Sequence, residues 1–274
     1  MRVPGLGAAL VFVAILGSGT AAAQDLLSIE VTPLRVELTL KPGALHTQAV
    51  TLKNEGPKAV RVRARVDEWH LSRDGTPQFT FAEPAAPYSA SAWVRVNPPE
   101  QVIRPGATAT VRFSTTVPAG AKDAGYRCAV MFEFEPPDAD PVAKTREVTF
   151  RGRVATLLYA TVGSPKAAVE LTDLEGRSLP NHALEVVATL KNTGPVHVRS
   201  RGSAVVYDAS GQPIRQLTVP NVPVLPESER ELAIPTSKEG EAPLAPGKYR
   251  VEVKLDLGLR ELIVGETTIE VPVR

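Results

Sequence analysis

The stretch TLKNEGPKAVRVR, starting at Thr51, returns at Thr189 as TLKNTGPVHVRSR, with nine of thirteen positions identical. The shared positions include Asn54/Asn192, Gly56/Gly194, Pro57/Pro195 and Arg61/Arg199. A spacing of 138 residues is far too long for a solenoid unit, so the repeat predicts two copies of one domain. Each copy is an apolar strand running into Asn-x-Gly-Pro. Asn and Gly tolerate positive φ and Pro cannot donate to a ladder, so the chain must stop, turn and begin a new strand.

The rest of the chain obeys the same period. Leu34, Val36, Leu38 and Leu40 fall on one face of a strand, with Arg35, Glu37, Thr39 and Lys41 on the other. Val60, Val62, Ala64 and Val66 alternate with Arg61, Arg63 and Arg65, which places these arginines on the face opposite the valines. Short alternating strands divided by Gly, Pro and Asn turns indicate β-sandwiches, and almost nothing carries a helical period. The predicted fold is all-β, with two tandem immunoglobulin-like sandwiches. Domain one spans 26–160 and domain two 166–274, joined by the short connection TVGSPK, which implies a fairly fixed angle and a cleft between them.

Residues 1–23 read as a cleaved signal peptide: Arg2, an apolar run, then TAAAQ as a small-x-small cleavage site after Ala23. The mature chain is therefore expected to be exported to the periplasm, and no later segment is apolar enough to span a bilayer. Loss of Arg2 leaves 30 basic and 30 acidic residues, a neutrality that argues against a nucleic-acid partner.

Cys128 is the only cysteine, so no intramolecular disulfide is possible and the fold must rest on hydrophobic burial. Tyr126, two residues before it, matches a tyrosine corner, and Tyr249 in APGKYRVEV takes the equivalent place in the second half. Cys128 itself is expected as a buried small hydrophobe.

Catalytic chemistry is hard to find. His46, His70, His182 and His197 show no metal-binding spacing, there is no nucleophile elbow or phosphate loop, and Asp67/Glu68 and Asp138/Asp140 lack an identifiable partner. The expectation is a protein that is not an enzyme and needs no cofactor or metal. Binding of another polypeptide remains, and residues 145–159 are the candidate edge, where Val148 and Phe150 alternate with polar neighbours before Gly152. An internal strand packed on its own core fits the same pattern.

Three stretches resemble the PapD-like periplasmic chaperones of pilus assembly. NPPEQVIRPGATATVRFSTT (97–116) resembles that family's Pro-Pro, Pro-Gly and Val-Arg-x-Ser-Thr-Thr run. IEVTPLRVEL resembles its first strand, with Arg35 at the place of the cleft arginine. GYRCAVMFEFEPP resembles the strand before its donor strand. The resemblance covers most of 29–160. It implies two immunoglobulin-like domains set in an L, binding pilin-like or other fibre subunits by β-strand addition, with the subunit's C-terminal carboxylate held in the interdomain cleft. Arg35 would be the carboxylate anchor. The family's cleft lysine is matched by Thr156, and the nearest cation is Arg153. Val148 and Phe150 would be the apolar side chains of the donor strand. The alternative reading is a structural or adhesive envelope protein whose tandem modules act as spacers or bind glycans through Trp69, Tyr88 or Trp93.

Overall fold

A computed structural model describes residues 28–80, 87–137, 151–179, 184–237 and 241–272. Residues 1–23, read above as a signal peptide, and Val148, Phe150, His182, Asp138 and Asp140 lie outside these residues.

The first half contains strands β1 (Ile29–Thr32), β2 (Arg35–Leu40), β3 (Leu45–Asn54), β4 (Val60–Leu71), β5 (Pro77–Thr80), β6 (Val94–Asn97), β7 (Glu100–Ile103), β8 (Thr108–Thr116), β9 (Ala124–Glu135) and β10 (Gly152–Val162). One sheet has the order β1-β3-β8-β6. The facing sheet has the order β2-β10-β9-β4-β5, with β7 also on β4. The chain changes sheets at Pro33: β1 pairs antiparallel with β3, while β2 runs parallel to β10. Between the sheets lies a core that includes Val50, Leu52, Phe113, Val130, Phe132 and Leu158.

The second half contains β11 (Val169–Ser178), β12 (Leu184–Asn192), β13 (Val198–Arg199), β14 (Arg201–Tyr207), β15 (Pro213–Thr218), β16 (Pro223–Val224), β17 (Ser228–Pro235), β18 (Gly247–Asp256) and β19 (Ile263–Val271). Its sheets are β11-β12-β17, β15-β14-β18-β19 and the short β13-β16 pair, closed over a second core that includes Leu190, Val206, Leu232, Ile234 and Val251. The all-β, two-sandwich expectation is met. No helix among the described residues is long and apolar enough to cross a membrane.

The duplicated segment has one structural meaning in both sandwiches. Asn54 is fully buried and its Nδ2 donates to the carbonyls of Lys58 and Ile103 at 2.8 and 3.0 Å, while its Oδ1 accepts from Gly56 N–H at 3.0 Å. Asn192 Nδ2 donates to Val196 and Val224 at 2.8 and 3.0 Å, and its Oδ1 accepts from Gly194 N–H at 2.9 Å. Each asparagine ties the turn after its strand to a strand across the sandwich, so the turn's buried backbone groups stay satisfied.

Both tyrosine corners form. Tyr126 donates its hydroxyl to the Lys122 carbonyl at 3.2 Å, and Tyr249 to the Ala245 carbonyl at 2.8 Å. Cys128 is fully buried, and burial pushes its thiol pKa up, which leaves it a packing residue.

The two sandwiches are braced against each other. Gly163 has φ of 67°, and a side chain there would run into the Asp123 carboxylate, which accepts from Ser164 N–H at 3.1 Å and pins the connection. Gly125 N–H donates to the Pro195 carbonyl at 2.8 Å. Farther out, the turn between β4 and β5 reaches the second sandwich. There Glu231 N–H donates to the Arg73 carbonyl at 2.8 Å, Arg73 pairs with Glu231 at 3.2 Å, and the Arg230 guanidinium lies against Gly75. Tyr88 donates its hydroxyl to Glu227 at 2.7 Å, and these two are the non-glycine residues with positive φ among those described.

Candidate functional site

The interdomain face is set by strand parity. Along β10, Val154, Thr156, Leu158, Ala160 and Val162 point into or toward the first core, so Arg153, Ala155, Leu157, Tyr159 and Thr161 occupy the outer face. Leu157 is opposite Arg35 and Tyr159 opposite Glu37 in the parallel β2–β10 register. Arg35 and Arg153 therefore lie on the same face of one sheet. Four residues of strand separate Arg153 from the Arg35 level, about 13 Å along the strand.

At the outer end of this face the charges are interlocked. Arg153 pairs with Glu133 at 2.8 Å, and Glu133 also binds Arg65. Arg63 reaches Glu135 at 2.7 Å and Glu100 at 3.1 Å, and Arg151 reaches Glu135 at 3.6 Å. Glu133 is held below the usual carboxylate range, first by its hydrogen bond from Arg65. Arg153 thus sits in an ion-pair lattice rather than beside Arg35.

The middle of the face is apolar and faces the second sandwich. Trp69, Ala129 and Tyr159 pack with Leu225 of that sandwich, joined by Leu71, Phe79, Ala155 and Leu157. Trp69 meets Tyr159 edge-on with ring centroids 5.4 Å apart, and Trp69 is 2% exposed, so packing is its role. Trp93 lies 4.3 Å from the Tyr126 ring.

Beside this patch, polar groups from both sandwiches converge. Arg35 Nε lies 3.3 Å from Glu37, and Arg199 Nε, from the second sandwich, donates to the same Glu37 oxygen at 2.7 Å. The Arg199 guanidinium lies 5.3 Å from the Tyr159 ring centroid, and the His197 ring packs tilted against that ring with centroids 4.6 Å apart. Arg127 is the register partner of Tyr159 on β9, and its Nε donates to the Trp69 carbonyl at 3.1 Å while its Nη1 is buried without a hydrogen-bond partner. Burial lowers the pKa of Arg127 and of His197, and it pushes the Tyr159 hydroxyl up to about 12.

β10 combines an internal strand and an edge. Its whole length pairs with β9, but β2 covers only Leu157–Val162. Leu157 N–H donates to the Leu34 carbonyl at 2.9 Å, so the backbone of Leu157 points toward β2. By alternation the Ala155 N–H and C=O point the same way, at a level where β2 has not yet begun. Residues 157–159 of the predicted edge are thus interior, because β2 swings in beside them after Pro33. Gly152–Thr156 has a described strand on one side only. Thr156 is buried and its hydroxyl donates to the Pro33 carbonyl at 2.7 Å, which closes the gap at the point where β2 arrives. Leu34, 55% exposed, stands at that mouth.

Arg127 and Arg199 were not singled out by the sequence. Arg199 occupies the repeat position of Arg61, but its side chain is only 14% exposed and serves the junction. The signal available for Arg127 is its place in AGYRCAVMF, where both faces of the strand are apolar and a lone arginine must be covered. Among the described residues no group of His, Cys, Asp and Glu could hold a metal ion.

No family model matches the chain, and no curated protein matches it. Solved structures similar to it include fimbrial chaperones. One belongs to a chaperone–tip adhesin complex of CFA/I fimbriae biogenesis, with 14% identity and a TM-score of 0.47, covering 90% of this chain and 100% of that one. The YadV chaperone is 15% identical with a TM-score of 0.44, covering 88% and 99%. A Salmonella enterica SafA pilin–SafB chaperone complex gives 17% identity and 0.44, covering 90% and 99%.

Proposed function

We propose that this chain is a non-enzymatic, exported chaperone-like protein of the periplasm that holds pilin-like or other fibre subunits by β-strand addition. The incoming strand pairs along Gly152–Thr156 of β10, Val148 and Phe150 supply apolar contacts to it, and the subunit's C-terminal carboxylate is held by Arg35 in the interdomain cleft, with Arg153 farther along the same face. One observation carries the reading: Gly152–Thr156, which has a described strand on one side only, leads directly to Arg35, because β2 begins where that stretch ends. A strand added there would gain main-chain hydrogen bonds and arrive with its terminus beside a guanidinium, which binds carboxylates in bidentate fashion.

Coexpression with candidate fibre subunits from the same source tests this. A retained subunit is expected, with retention reduced by Arg35→Ala and by Ala155→Pro, neither of which unfolds the chain. Proline at 155 removes an outward N–H without deleting a bond to β9. A subunit complex insensitive to Arg35→Ala, Ala155→Pro and Phe150→Asp overturns the reading, as does failure to retain any subunit.

A further inference from the structure

Arg35 and Arg199 share one carboxylate. Glu37 lies 3.3 Å from Arg35 and 2.7 Å from Arg199, and the three come from two sandwiches. The partners differ in freedom: the side chains of Arg35 and Glu37 are 53% and 42% exposed, while that of Arg199 is 14% exposed and lies over the Tyr159 ring. Arg127, half-buried, carries a further charge, with Glu68 in electrostatic reach. Two guanidinium groups facing a single acid leave one positive charge in excess, beside the apolar patch of Trp69, Tyr159 and Leu225. Such a patch lowers the local dielectric and strengthens charge pairing.

The geometry points to Arg199, supplied by the second sandwich, as the second cation of a carboxylate site with Arg35, and to Glu37 as the internal carboxylate that an incoming one replaces. This rests on the reading above that a carboxylate is bound at Arg35. Glu37 can swing into water because it is exposed, whereas Arg199 stays in place because it is stacked and covered. The ligand class is a carboxylate on an extended peptide, and the site would not close unless both sandwiches contribute.

The test uses the full chain and a synthetic extended peptide of alternating apolar and polar residues, prepared with a free C-terminal carboxylate or a C-terminal amide, with binding followed by calorimetry. The acid is expected to bind more tightly than the amide. Arg199→Ala should cut that preference about tenfold, the scale of one lost charge-assisted hydrogen bond. Glu37→Gln, which breaks the same interdomain pair but leaves both cations, should raise affinity for the acid. An amidated peptide ending in glutamate separates a side-chain carboxylate from a chain terminus: tight binding of it assigns the site to carboxylates generally, and weak binding to chain ends. If Arg199→Ala and Glu37→Gln both lower acid binding, Arg199 only fixes the domain angle and the inference falls. If Arg35→Ala abolishes the preference and Arg199→Ala leaves it intact, the inference falls while the carboxylate anchor stands. If the wild type binds acid and amide equally, the anchor itself fails.

Discussion

Glu37 accepts a hydrogen bond from Arg199 at 2.7 Å across the junction between the sandwiches, so a charge on the first strand pair of one domain is fixed by a residue of the other. Because Glu37 is exposed to solvent, the pair is screened, and a double-mutant cycle of Glu37→Gln and Arg199→Ala in chemical denaturation should give a coupling below about 1 kcal/mol. A coupling of several kcal/mol would mean the pair is far better desolvated than its exposure indicates.

Asn54→Ala and Asn192→Ala should each destabilise the sandwich that carries them. Each removes three hydrogen bonds, most of them buried, that tie the turn to the sandwich. The expected loss is about 2–4 kcal/mol per site, read as a lower denaturation midpoint. Equal stability of either variant to the wild type would show that the repeated segment is not the staple described.

Gly75→Ala and Gly211→Ala separate conformational strain from contact. Both glycines have positive φ, 87° and 80°, but a side chain at Gly75 meets the Arg230 guanidinium, whereas nothing lies near Gly211. Both substitutions carry the left-handed cost of about 1–2 kcal/mol. The excess loss at Gly75, measured by thermal unfolding, reports how firmly the β4–β5 turn is seated on the second sandwich. Identical losses would place Arg230 elsewhere in solution.

His197 gives a pH signature. Burial lowers its folded pKa from 6.5, against which the neighbouring Glu37 pulls upward and Arg199 and Arg127 pull downward. A depressed histidine binds fewer protons folded than unfolded, so its contribution is fully present above about pH 6.5 and is lost as pH falls toward the folded value. Asp67, whose pKa burial raises, opposes this trend, so the wild type should be compared with His197→Gln. The difference in melting temperature between them should change between pH 7.5 and 5.5 in the sense that the wild type loses more on acidification. A constant difference would put His197 in water.

Much of this was legible because period-two alternation and turn chemistry are local. The Asn-x-Gly-Pro repeat announced two copies of one sandwich, and Tyr126 and Tyr249 announced their corners. Parity alone put Arg35 and Glu37 together on one face. What the sequence could not yield was anything decided by the junction. Arg199 reads like Arg61 until the second sandwich is docked, and Arg127 reads like any strand arginine until Trp69 and Tyr159 cover it. The state of β10 depends on where β2 swings across after Pro33, a long-range event that leaves residues 157–159 interior and Gly152–Thr156 with a described strand on one side only. Arg153, matched by proximity in sequence to a missing lysine, is instead held by Glu133.

The most direct test of strand addition is hydrogen exchange at the Ala155 amide, with the chain alone and with a retained fibre subunit. Strand addition predicts rapid exchange alone and strong protection in the complex, lost on proteolytic removal of the subunit. An Ala155 amide that exchanges at the same rate while a subunit remains bound would contradict it.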